Sequence, residues 1–121
     1  TPKSFFDSLV ALNQAESPVF VVSEKRSEAR RFAFCRALFE YLTLERPAAL
    51  TNASYSCRQK RNRAFAAEFL APAAAIKEQL STDFADEETI AAMAGHFGVS
   101  EFVIRHQIRN HEIAETATDM P

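Results

Sequence analysis

Apolar residues fall along this chain in short clusters whose spacing changes from one segment to the next. Pro2-Lys3-Ser4 followed by Phe5, Phe6, Leu9, Val10 and Leu12 predicts a short amphipathic helix ending near Asn13. Ser17-Pro18 breaks it, and Val19-Phe20-Val21-Val22 is a β-branched run short enough for a buried strand. From Glu28 to Leu44, residues Phe32, Phe34, Cys35, Leu38, Phe39 and Leu42 recur at helical spacing on more than one face. That row predicts a central helix, with Ser27 as its N-cap and Pro47 as its stop. Residues 48–56 are small and polar and suit a loop or a weak edge strand. A second strong helix is predicted over Cys57–Leu70, with Ala64, Phe65, Ala67, Phe69 and Leu70 on its apolar side. Pro72 stops it and opens another short helix through Leu80. Asp86 caps a helix through about His96, Gly98 turns the chain, and Ser100 caps a last helix through roughly Glu112. The residues from Thr116 onward read as a frayed tail.

These elements predict one α+β domain over residues 1–115, mainly helical, with a small sheet around Val19–Val22 packed by the helices at 28–44 and 57–70. At 121 residues the chain is long enough to fold without a disulfide or metal. Its 47% hydrophobic and 25% charged residues exclude disorder, and only two glycines speak against a phosphate-cradling loop. Cys35 and Cys57 match neither a disulfide framework nor a zinc motif; they read as small thiols in a reducing compartment, so a cytoplasmic setting is expected. No apolar run approaches the ~18 residues of a membrane span, so no membrane partner is expected. The chain opens on Thr1, which suggests a piece of a longer protein.

Charge changes the picture further. Residues 25–63 carry ten Lys and Arg against Glu28, Glu40 and Glu45, whereas residues 83–121 carry Arg105 and Arg109 against eight acidic residues. A basic middle and an acidic end suggest contact between the two parts or between two copies of the chain; two separately solvated faces are the alternative.

Three segments, in order, carry a resemblance. They are Arg30-Arg31-Phe32-Ala33-Phe34-Cys35 running into Arg36-Ala37-Leu38-Phe39-Glu40, then Arg63-Ala64-Phe65-Ala66-Ala67-Glu68-Phe69-Leu70-Ala71-Pro72, and then Ile90 to Ile108. Together they resemble the ImmA/IrrE metallopeptidase family over about residues 18–110, the second segment most specifically. The resemblance implies a zincin-like fold. It would place the His, Glu and His of the family's zinc motif at Arg36, Ala37 and Glu40, and its third ligand near Gln59. Arg36 offers a metal no lone pair and Ala37 cannot take a proton from water. A degenerate, non-catalytic member is therefore expected, with no cofactor. Arg36 and Glu40 are i,i+4 neighbours, so a guanidinium–carboxylate pair can stand where metal and ligand would meet, or both can be solvated surface charges.

Over residues 83–112, Ala94, Phe97, Gly98, Val99, Ser100, Ile104 and Ile108 fit the mask of a helix-turn-helix. Glu101, Phe102, Arg105, His106 and Arg109 would then project outward, with Arg105, His106 and Arg109 as candidate interaction residues, although Phe102 reads as a packing residue. The balance of −6 across residues 83–121 opposes DNA contact, because phosphate attraction supplies most non-specific affinity. The expected function is a non-catalytic peptidase-like domain for protein–protein interaction or sensing inside a larger regulator, since the resembled family often serves stress response and toxin–antitoxin control. Its expected partner is another protein or another domain of the same polypeptide, with self-association a further route. A DNA-binding regulator working through residues 86–111 is the alternative and is not favoured.

Overall fold

The computed structural model describes residues 6–116. The chain divides into two compact units, the first ending at Ala66 and the second beginning at Ala67.

The first unit opens with strands β1 (Ser8–Leu12) and β2 (Pro18–Val22), followed by helix α1 (Ser27–Leu42) and strand β3 (Ala48–Thr51). Helix α2 (Cys57–Leu70) comes next, and the division falls within it. The three strands form an antiparallel sheet in the order β2-β1-β3. The helix expected over Phe5–Leu12 is therefore a strand at Ser8–Leu12 and central to the sheet; the residues before Phe6 lie outside the described ones. Leu9, Val10 and Leu12 fit either period, and pairing on both sides decides for the strand. Asn13 makes the hairpin: its side-chain oxygen accepts from the Ala15 and Ser17 amides at 2.9 and 3.0 Å, and Glu16 adopts φ 61° to close the turn.

Helix α1 covers one face of the sheet, where Val10, Ala37 and Ala49 are buried and Phe20, Tyr41 and Leu44 pack around them. Ser8 Oγ donates to the Ala33 carbonyl at 2.7 Å and shares a hydrogen bond with Thr51, so the polar groups in this layer are satisfied. Ser27 is the first helical residue rather than the cap; Arg26 holds the N-cap position without a side-chain hydrogen bond. The helix stops at Leu42, five residues before Pro47, with Thr43 bonding back to Phe39.

The second unit contains α3 (Ala73–Gln79), β4 (Phe84–Ala85), α4 (Glu87–Phe97), α5 (Glu101–Asn110) and β5 (Glu115–Thr116). Its elements follow local signals closely. Pro72 is the N-cap of α3, and Asp86 caps α4 by accepting from the Thr89 amide at 2.7 Å. Gly98 takes the left-handed C-cap at φ 67°, and Ser100 caps α5 through the Val103 amide. Ile90, Met93, Ile104 and Ile108 fill the space between α4 and α5 and around it. Thr116, expected to fray, is buried in β5, which pairs in parallel with β4; the rest of that tail lies outside the described residues. Among the described residues, no helix is long and apolar enough to cross a membrane.

Two outcomes test these local features. Glu16→Gly relieves a left-handed backbone at a non-glycine residue and raises stability by about 0.5–1 kcal/mol in denaturant unfolding; a destabilised variant would contradict the turn. Hydrogen bonding to Thr89 holds the Asp86 carboxyl below the usual carboxylate range. A depressed folded pKa stabilises above the unfolded value and that contribution is lost as pH falls through the folded one. Asp86→Ala therefore lowers the Tm at neutral pH, and the gap to the parent protein closes in strong acid.

Candidate functional site

On α1 the buried residues are Ala33, Cys35, Arg36, Ala37 and Glu40, while the larger Phe34 and Leu42 remain 41% and 63% exposed. The inward stripe thus consists of small residues and two charges. Arg36 is only 4% exposed, so its guanidinium must find acceptors within the protein. It finds four. Nε donates to Asn62 Oδ1 at 2.6 Å, Nη1 to Asp7 Oδ2 at 2.9 Å, and Nη2 to both the Asn52 carbonyl and Gln59 Oε1 at 2.8 Å.

The four partners come from three parts of the first unit. Asp7 precedes β1, Asn52 follows β3, and Gln59 and Asn62 lie one turn apart on α2. Asn62, fully buried, passes the network on: its amide donates to Glu40 Oε2 at 3.1 Å. The other Glu40 oxygen takes Arg58 Nε at 2.9 Å. Arg36 and Glu40 are therefore joined through Asn62 rather than paired directly, as the i,i+4 spacing suggested, and neither is a solvated surface charge. Phe39 and Phe65, with ring centroids 5.4 Å apart, supply an apolar contact between the same two helices.

Gln59 has a second task. Its NH2 donates to the Leu50 carbonyl at 3.1 Å and its oxygen accepts from the Asn52 amide at 3.0 Å. These are groups on the outer edge of β3, so one carboxamide stands in for a neighbouring strand. Arg36 and Arg63 both donate to the Asn52 carbonyl just beyond, at 2.8 and 2.9 Å. The Arg63 guanidinium lies over the Tyr55 ring at 5.2 Å, and its Nη1, shielded from solvent, has no acceptor.

Burial and the nearby Arg63 charge push the Arg36 pKa down, and Asp7 and Glu40 pull it up; an arginine remains charged through such a shift. Arg36, Arg58 and Arg63 face Asp7 and Glu40, leaving a balance of one positive charge. The donor set does not fit zinc. Arg36 has no lone pair, Ala37 has no polar group, and the Gln59 oxygen already accepts from Arg36, Asn52 and Asn62. Burial pushes the Cys35 thiol up, against the lowering effect of the Arg31 charge, and Cys57 is exposed. Among the described residues, no three His, Cys, Asp or Glu side chains gather closely enough to hold a metal ion.

Thus Arg36, Ala37, Glu40 and Gln59, singled out from the sequence, lie in one buried neighbourhood. Asp7, Asn52, Arg58, Asn62 and Arg63 were missed. Two amides spaced i,i+3 on α2, in register with the i,i+4 charges of α1, were the available signal. In the second unit Glu101, Phe102, Arg105, His106 and Arg109 do face outward on α5. Phe102 is not a packing residue: it is 70% exposed and stacks on His106, with centroids 5.7 Å apart. Arg105 is engaged by Glu87 of α4 and by Glu101 at 3.3 Å. No known protein-family model matches the chain, and no curated protein does.

Replacing Arg36 by Met leaves the Asp7 carboxylate and the Asn62 oxygen without their donor and costs about 3 kcal/mol of stability, a value discounted for the partial exposure of Asp7. Chemical denaturation measures it; a loss below about 1 kcal/mol would show the network to be peripheral.

Proposed function

We propose that this chain is a non-catalytic, peptidase-like domain with a zincin-like ImmA/IrrE fold, serving protein–protein interaction or sensing in a larger regulator. One observation carries the reading. The positions that the resemblance assigns to two metal ligands and a third, Arg36, Glu40 and Gln59, belong to a single buried hydrogen-bond network centred on a guanidinium. A positive charge sits where the resemblance implies a cation, and the surrounding oxygen acceptors already serve it. Arg36 and Ala37 can neither ligate zinc nor activate its water, and Glu40 and Gln59 are already engaged within the network, so the domain's work is to present a surface supported by that network.

The test has two arms. Metal analysis of the purified protein finds no stoichiometric zinc, and chelators leave its Tm unchanged; bound zinc or chelator-sensitive peptide cleavage would overturn the reading. Restoring the ligands with Arg36→His, Ala37→Glu, Glu40→His and Gln59→Glu together creates a chain that binds one zinc ion. A folded variant with no affinity for zinc would sink the correspondence of positions.

The second reading is a DNA-binding regulator, favoured by the Gly98 turn and the Ser100-capped α5 that follows it. Engagement of Arg105 by two glutamates weighs against it. A gel shift at low salt that is lost in Arg105→Ala and Arg109→Ala would favour DNA contact.

A further inference from the structure

The two edges of the sheet in the first unit are finished differently. Along β3, Gln59 satisfies the Leu50 carbonyl and the Asn52 amide, and two arginines take the Asn52 carbonyl. Along β2 nothing comparable is found among the described residues. Hydrogen bonds from Asn13 to Ser17 and from Ser23 to Asp7, with the register between them, turn the backbone groups of Ser17, Val19, Val21 and Ser23 toward β1. Phe20 and Val22 therefore direct both N–H and C=O to the open side, and Pro18 directs its carbonyl there. Among the described residues, no strand pairs with that side.

The side chains beside this edge are also unfinished. Val19 and Val21 are 45% and 43% exposed on the face away from α1. They continue a face on which Leu9, Ala11, Ala48 and Leu50 are all apolar as well. On the face toward α1, Phe34 meets Phe20 in a tilted ring pair with centroids 4.9 Å apart, yet remains 41% exposed. From Ser17 to Ser23 the chain carries no charge, and neither β2 nor β3 has the inward lysine or bulge that usually protects an edge.

We propose that β2 is a homodimerisation edge, at which a second copy of this chain adds its own β2 in antiparallel orientation to make a continuous six-stranded sheet. The edge is self-complementary about Phe20. Placing Phe20 opposite its symmetry mate lets the two residues exchange both hydrogen bonds. Val22 N–H then meets the Pro18 carbonyl of the other copy, so the donor that proline lacks leaves only a Val22 carbonyl at each end without a strand partner. Val19 falls opposite Val21, merging the two exposed apolar faces. A five-residue edge with three half-open side chains offers less than the ~800 Å² per partner of a standard interface, so the association is weak and concentration-dependent.

Sedimentation velocity from micromolar to millimolar protein tests this, with residue-resolved hydrogen exchange alongside. The expected result is a monomer–dimer equilibrium in which the amides of Phe20 and Val22 become protected as the dimer forms. Val21→Lys places a charge at the new seam on a half-exposed side chain, and Val22→Pro removes an outward N–H without touching the β1 ladder. Both variants are expected to lose the dimer while keeping the parent circular dichroism spectrum. A parent chain that stays monomeric throughout the range would overturn the proposal. So would a dimer that persists in folded Val21→Lys, or one that salt disperses while Phe20 and Val22 stay unprotected, since that result assigns self-association to the opposed charges of the two units.

Discussion

A guanidinium withdrawn from water has to recover its hydrogen bonds inside the protein, and much of the first unit is arranged to provide them for Arg36. The approach to β1, the end of β3 and one face of α2 each contribute an acceptor. Because these acceptors come from segments far apart in the chain, the network forms only when sheet and helices are all in place. Such a cluster adds little net stability over an apolar core of equal volume, but losing any one member is costly. Its value lies in specifying a single arrangement of α1 and α2 against the sheet edge.

The same network accounts for the asymmetry of the sheet. An exposed strand edge is a template for further pairing, and proteins usually blunt it. Gln59 blunts one edge by imitating a strand's peptide group, at the position where the resemblance expects a metal-binding carboxylate. A carboxylate there would have no donor for the Leu50 carbonyl. The amide at 59 ties helix to sheet through its donor and its acceptor together. The opposite edge, formed by the most β-branched segment of the chain, has no equivalent among the described residues.

The second unit is organised by local rules instead. An aspartate cap, a left-handed glycine and a serine cap define two helices whose isoleucines and methionine meet in a small core. Arg105 lies between Glu87 and Glu101, and the Gln107 amide donates to Glu68 and the Ala71 carbonyl. What faces outward on α5 is a stacked Phe102 and His106 rather than a free basic surface.

Sequence alone was sufficient for α2, α4 and α5 and for the existence of a strand at Val19–Val22, because caps, prolines, Gly98 and apolar spacing act within a few residues of the element they define. It was not sufficient for that strand's place at an exposed edge instead of a buried one. Arg36, Glu40 and Gln59 were singled out by the resemblance, as the positions it would assign to metal ligands. Sequence failed at β1, where Leu9, Val10 and Leu12 satisfy two periodicities and only the flanking strands choose between them. On α1 it favoured Phe34 and Leu42 for burial, whereas close approach to the sheet admits Ala33 and Ala37 and leaves the large side chains outside. The acceptors around Arg36 were decided by tertiary structure alone, since Asp7, Asn52 and Asn62 lie 29, 16 and 26 residues from it and share no local pattern. A buried charge selects its partners by distance in space, and no periodicity records that.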